Sequence, residues 1–356
     1  MKKIVSILLA LCMVFVLCSC GASDAKVDEI AAAVDQLQAS VDALSGEGDE
    51  AEPAAAPAET YNIGIIQLLE HVALDQATQG FKDALIELLG KDGVDFKFQN
   101  AQGEAANCAT SANSLVSEGV DLILANATAP LQAAAAATAD IPILGTSITD
   151  YATALGIPAE EWTGASGSNI SGTSDLAPLD GQAAMLAELC PVEDYPNVGI
   201  LYCNAEANSV YQATVITAEL EAMGYAVEDF TFADSNDIAS VTQNACDACD
   251  VLYIPTDNTA AANTEAINNV AEPAGIPIIA GESGICTGCG IATLSISYYD
   301  IGYKAGEMAY DILVNGADVS TMEVEFAPQF TKLYMADRCE ALGIEVPADY
   351  EAIATE

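Results

Sequence analysis

The chain has 356 residues, with 9 basic side chains against 53 acidic ones and a single histidine, for a formal net charge of −44 at pH 7. At 52% hydrophobic residues it can bury large cores, so it is not a disordered acidic chain. The charge excludes nucleic acid as a partner, and the lone imidazole, His71, leaves only one place for a His-based catalytic triad.

The length suggests two domains. No Lys or Arg occurs between Lys97 and Lys304. An anion bound by that stretch must therefore be held by backbone N–H groups, hydroxyls or helix N-termini. No phosphate-binding G-x-x-x-x-G-K-[ST] loop is present.

Residues 1–19 read as an export signal. Lys2-Lys3 are followed by an uncharged apolar run, Ile4 to Leu17, too short for a confident membrane span. The run ends Leu17-Cys18-Ser19-Cys20-Gly21, which resembles a bacterial lipobox and implies cleavage before Cys20 and a lipid on that thiol. Residues 20–60 form an acidic, Ala- and Pro-containing tether. Within it, Val27, Ile30, Val34, Leu37, Val41 and Leu44 follow a heptad spacing. That pattern reads either as a self-associating stalk or, being only about three heptads long, as one fraying amphipathic helix.

From Tyr61 onward, apolar runs alternate with helical patterns. Strands are predicted at 62–69, 94–98, 120–125 and 141–144, with helices over 73–89, 104–117 and 131–138 between them. A Gly/Ser/Thr-rich stretch, 164–174, reads as a loop, after which the pattern restarts. Strands follow at 197–202, 226–232, 251–255, 276–280 and 292–296, with helices over 178–189, 209–223, 238–248, 260–273 and 300–314. The two halves resemble each other: Asp121-Leu-Ile-Leu-Ala matches Asp250-Val-Leu-Tyr-Ile-Pro, and Ile141-Pro-Ile-Leu-Gly matches Ile276-Pro-Ile-Ile-Ala-Gly. The expected fold is α/β, with two doubly wound parallel-sheet lobes joined by a hinge and a ligand cleft beyond the carboxyl ends of the strands.

These features together resemble the solute-binding lipoproteins of ABC transporters, in the type I periplasmic-binding-protein fold. More narrowly they resemble the tryptophan- and phenylalanine-binding (TrpX-like) subfamily. The motifs are Ile63-Gly-Ile-Ile-Gln-Leu-Leu-Glu-His71, Ala73-Leu-Asp75, Gly80-Phe81, Asn100-Ala-Gln-Gly103 and Gly172-Thr-Ser-Asp175. The second half adds Glu206-Ala-Asn-Ser209, Tyr253-Ile-Pro-Thr-Asp-Asn-Thr259 and Tyr298-Tyr-Asp-Ile-Gly302. Val72 stands where the family often has Pro, and the segment 151–168, with the only Trp, matches no family pattern. The resemblance implies a first lobe of 61–170 plus about 297–325 and a second of 171–296 plus about 326–350, with three crossovers between them. It implies a small solute, favouring an aromatic amino acid, and an ABC permease with its ATPase as partner. It places the chain outside the cell membrane on a lipid anchor. No enzyme activity and no cofactor are expected. A ligand-sensing receptor of the same fold, and a surface lipoprotein with a structural or redox role, are the alternatives.

Candidate ligand-binding residues follow from position and resemblance. Glu70 is a candidate for a ligand ammonium, and His71 for the cleft wall. Ala127, Thr128, Thr146 and Ser147 offer hydroxyls and helix N–H groups for a carboxylate. In the second half Asn208, Ser209, Asp257 and Asn258 open helices, and Asp257 or Glu282 would pair with a buried ammonium. All of these but Glu282 also read as helix caps. Tyr202 and Tyr211 read either as stacking partners for an aromatic ligand or as core residues. Cys246-Asp-Ala-Cys249 and Cys286-Thr-Gly-Cys289 read as buried thiols or disulfides, the second pair in a loop, and no metal site is expected.

Overall fold

A computed structural model describes residues 60–354. The expected export signal, Cys20 and the tether as far as residue 59 lie outside the described residues. Among the described residues no helix is long and apolar enough to cross a membrane.

The first sheet holds β1 (Tyr61–Gln67), β2 (Val94–Asn100), β3 (Leu122–Asn126), β4 (Ile143–Ile148), β5 (Ile170–Ser174) and β11 (Glu325–Phe326), in the order β11-β5-β4-β3-β1-β2, with every pair parallel. The second holds β6 (Asn197–Cys203), β7 (Ala226–Phe232), β8 (Val251–Ile254), β9 (Ile278–Ala280), β10 (Ala292–Ser295), β12 (Thr331–Tyr334) and β13 (Glu351–Ala352), in the order β13-β12-β10-β9-β8-β6-β7. Only its β10–β12 pair is antiparallel.

Alternate strand residues feed opposite faces. On β3, Leu122 and Leu124 join one core, with Ile63, Ile65 and Phe81, while Ile123 and Ala125 join another, with Ile66 and Leu115. On β8, Val251 and Tyr253 enter one core of the second lobe and Leu252 and Ile254 the other. A strand buried on both faces needs helices on both, which is why it reads as an unbroken apolar run.

The first lobe's helices are α1 (Val72–Leu89), α2 (Ala105–Glu118), α3 (Thr128–Ala137) and α4 (Tyr151–Leu155). The second has α5 (Leu179–Leu189), α6 (Ala207–Ala222), α7 (Ile238–Ala248), α8 (Asn258–Ala261), α9 (Thr264–Ala274) and α10 (Ser283–Cys289). Then α11 (Tyr298–Leu313) returns to the first lobe, and α12 (Ala336–Leu342) lies in the second.

Several expectations shift. The stretch 164–174 is not all loop, because β5 ends it and pairs with β4. Its small residues conceal a strand that packs too closely for side chains: a Cβ on Gly172 would lie 2.0 Å from the Gly145 carbonyl oxygen. The chain thus leaves the first sheet after Ser174, not at 170, and the other crossings fall between β10 and α11 and between β11 and β12. The helix expected at 260–273 is two helices, broken at Ala262-Asn263. Residues 286–289 lie in α10 rather than in a loop. The eight cysteines from Cys108 to Cys339 are free and buried, which is the buried-thiol alternative for both Cys-x-x-Cys pairs. Burial pushes their thiols up, Cys289 to about 12. Trp162 stacks on Tyr151 at 6.3 Å between ring centroids and packs against the first lobe's core.

Helices α1 and α11 touch backbone to backbone. A Cβ on Gly80 would lie 2.1 Å from the Tyr299 carbonyl oxygen, and one on Gly302 would lie 2.0 Å from that of Ala77. Gly302→Ala must therefore push the helices apart, at a cost of about 1–3 kcal/mol or more. Urea denaturation of the compact unit 56–356 is expected to show that loss. A thiol reagent should modify none of the eight cysteines in that folded unit and all eight once it is denatured.

Candidate functional site

The carboxyl ends of the parallel strands deliver short polar segments, and those of the two lobes meet. On the first lobe β1 runs through Glu70 and His71 into α1, and β3 enters α3 through Ala127. At the end of β4 the register shifts between Gly145 and Ile148. Ala127 and Ser147 have φ of +96° and +56°, which few non-glycine residues adopt, and such backbone costs about 1–3 kcal/mol each. The reward is placement. Ala127 opens α3 with no side-chain cap, leaving first-turn N–H groups free, and Thr128 is buried beside them. The buried Ser147 hydroxyl has no hydrogen-bond partner, and Thr146 accepts from the Thr173 hydroxyl at 3.0 Å.

On the second lobe the motifs at 206–209 and 256–259 knit together. The Glu206 carboxylate accepts from the Asn258 backbone N–H at 3.1 Å, from Asn258 Nδ2 at 2.7 Å, and from Thr259 N–H and hydroxyl at 2.8 and 2.7 Å. Asn208 Nδ2 donates to Glu206 at 3.2 Å and to the Thr256 carbonyl at 3.1 Å. Ser209 is fully buried beside Asp257.

The carboxylates expected to take an ammonium are placed differently from that reading. Both Asp257 oxygens are spent on backbone donors, Cys203 N–H and Ala260 N–H at 2.7 Å each, so it clamps β6 to the start of α8. Burial and the neighbouring Glu206 push its carboxyl up. Glu282 likewise caps α10, accepting from Gly284 and Ile285, and burial pushes it up against the pull of His71. Glu70 is exposed and makes no side-chain hydrogen bond. Tyr202 lies in the second lobe's core with its hydroxyl on Asp229 at 3.3 Å, and Tyr211 packs against the same core, because alternation on β6 and the inner face of α6 point both rings inward.

Asp175 was not singled out. It follows β5 at the first crossover, only 4% exposed. Thr149 donates to Oδ1 at 3.2 Å and the Tyr298 hydroxyl to Oδ2 at 3.0 Å, linking the first crossover to the second. Burial pushes its carboxyl up to about 6, and no cation acts on it. Its signal in the sequence was the Gly172-Thr-Ser-Asp175 motif, hidden because β5 looked like loop. Glu206 was quoted only as part of a motif.

Two side-chain bonds cross between the lobes, His71 Nε2 to Asn258 Oδ1 at 3.2 Å and Gln212 Nε2 to Thr149 Oγ1 at 3.4 Å. Beside His71 a cavity of about 390 Å³ opens between the first turn of α1 and α10. His71 and Glu282 lie on its wall, and Val72, Ala261, Leu333 and Ile353 give it apolar surface. The volume lies in the range of small-molecule sites.

Two α/β lobes are joined by three crossovers, with the polar ends of their strands facing one another. Residues 62–356 match the model of the ABC transporter substrate-binding protein family, and the chain belongs to that family. It is 35% identical over 286 residues to a tyrosine-binding protein of Clostridioides difficile, covering 80% of this chain and 81% of that protein. Among solved structures it is similar to an ABC domain from Streptococcus pneumoniae in complex with L-Trp, at 28% identity and TM-score 0.79, covering 83% of this chain and 100% of that one. It is also similar to the ligand-free, open form of a substrate-binding protein with adhesive properties from Clostridium difficile, at 35% identity and TM-score 0.63, with the same coverage of each chain.

The folded state holds Asp175 with its proton more tightly than the unfolded chain does. Its stabilising contribution is therefore full below pH 4 and is lost as pH rises through about 6. Asp257 and Glu282 act in the same sense. Thermal melts of the ligand-free protein should show Tm falling between pH 5 and pH 8, and Asp175→Asn should flatten part of that slope.

Proposed function

We propose that the chain is the extracytoplasmic solute-binding component of an ABC importer, and that it closes its lobes on an aromatic amino acid. The observation that carries this is Asp175, a buried carboxylate with no cationic partner among the described residues. A ligand ammonium supplies the missing charge and relieves the cost of burying the carboxylate. The ligand carboxylate goes to the Ser147 and Thr128 hydroxyls and to the open N-terminus of α3, which needs no Lys or Arg. An aromatic side chain is favoured by the two relatives whose names carry tyrosine and L-Trp.

Lobe closure is supported by the comparisons of shape. The lobes match the L-Trp complex better than the open, ligand-free relative, although the latter is closer in sequence. The first lobe takes residues 61–174 with the return through α11 and β11, and the second takes the remainder. The signal at 1–19 and a lipid on Cys20 would tether the protein beside a permease and its ATPase.

Titration calorimetry on 56–356 tests the reading. L-Tyr, L-Trp or L-Phe should bind, while L-Ala and glucose should not. Asp175→Asn should weaken binding at least 100-fold, the scale of removing one partner of a buried ion pair. Affinity should fall, towards tenfold per pH unit, as pH drops below about 6, because the ammonium needs the ionised carboxylate. Preference for a sugar, or unchanged affinity in Asp175→Asn, would overturn it.

A further inference from the structure

His71 and Asn258 both stand at the cleft, yet each spends its cross-lobe atom on the other. His71 occupies the N-cap position of α1 in extended conformation, with φ −160° and ψ 165°, and does not cap the helix. Its Nε2 instead reaches Asn258 Oδ1 at 3.2 Å, across 187 residues of sequence. The direction of that bond is set from behind. A carboxylate only accepts, so Glu206 at 2.7 Å fixes the Asn258 amide with Nδ2 toward itself and Oδ1 toward the other lobe. Oδ1 only accepts as well. His71 must therefore donate from Nε2, as the Nε2–H tautomer or as imidazolium.

Glu206 and Asn258 belong to the second lobe and His71 to the first, so this bond forms only when the lobes are together. We propose that the His71–Asn258 bond is a latch of the closed state and that Glu206 is the positioning residue that aims it. The assignment rests on the lobe-closure reading above. It takes His71 Nε2 and Asn258 Oδ1 away from the ligand and makes them a brake on its release. The acceptor is immobilised in advance because the carboxylate that orients Asn258 also caps α8 through Thr259.

Stopped-flow kinetics with L-Tyr and L-Trp, and small-angle X-ray scattering without ligand, test it. His71→Ala and Asn258→Ala should each raise the dissociation rate about fivefold, the worth of one net hydrogen bond. The double variant should be no faster than either single one. His71→Gln, whose amide can still donate, should recover most of the loss. Glu206→Gln should raise the dissociation rate in wild type but not in His71→Ala, a coupling that a merely structural role for Glu206 would not produce. Additive rates, or single variants that release ligand like wild type, would overturn the latch. If wild type binds neither amino acid, the ligand reading fails and scattering still decides the latch. His71→Ala should then give a larger radius of gyration than wild type, and an identical radius would overturn it.

Discussion

Asp175 is a carboxylate buried at the crossover between two lobes that have no Lys or Arg from residue 98 to 303. The rest of the cleft is arranged around that electrostatic constraint. Arg338 spends its guanidinium on the Cys286, Gly288 and Gly290 carbonyls, and among the described residues no Lys or Arg pairs with the buried acids, so each must find N–H or O–H donors. Asp257 and Glu282 find them at helix starts, and Glu206 on Asn258 and Thr259. Asp175 has one threonine and one tyrosine hydroxyl beside its own chain, which leaves its charge uncompensated. The start of α3 has no side-chain cap and the buried Ser147 hydroxyl has no hydrogen-bond partner, so both stand open to an anion without Lys or Arg.

The crossovers that carry Asp175 also carry the means of closing. Tyr298 begins α11, and its hydroxyl ties the second crossover to the first. From there α11 runs back against α1, the helix that His71 opens, with glycine on both sides of the contact. The segments between the sheets are the natural hinges for movement of one lobe on the other, and the His71–Asn258 and Gln212–Thr149 bonds would both have to break for the lobes to part.

Much of the fold was legible from Tyr61 onward, because a doubly wound sheet writes itself as unbroken apolar runs separated by helical spacing. Strand β7 and helix α7 fell where their patterns placed them, and β1 and α1 within two residues. Segments with little hydrophobic signal were misread. Strand β5 is Ile-Ser-Gly-Thr-Ser, small because Gly145 presses on it, and α10 contains Gly284 and Gly288, with Gly288 packed against Thr264. The short strands β11, β12 and β13 had no alternation long enough to register.

The sequence by itself determined the two-lobed α/β class, the polar strand ends and the lack of a cation in the middle of the chain, since all three are properties of composition and local periodicity. Only the tertiary structure decided which acid stands unpaired. Asp257, Glu282 and Asp175 look alike as residues following strands. Whether a carboxylate is spent on its own helix or left at the junction of two lobes depends on the direction of its oxygens and on donors supplied from 26 to 123 positions away. The pairing of His71 with Asn258 is of the same kind, a contact across 187 residues that no local pattern encodes.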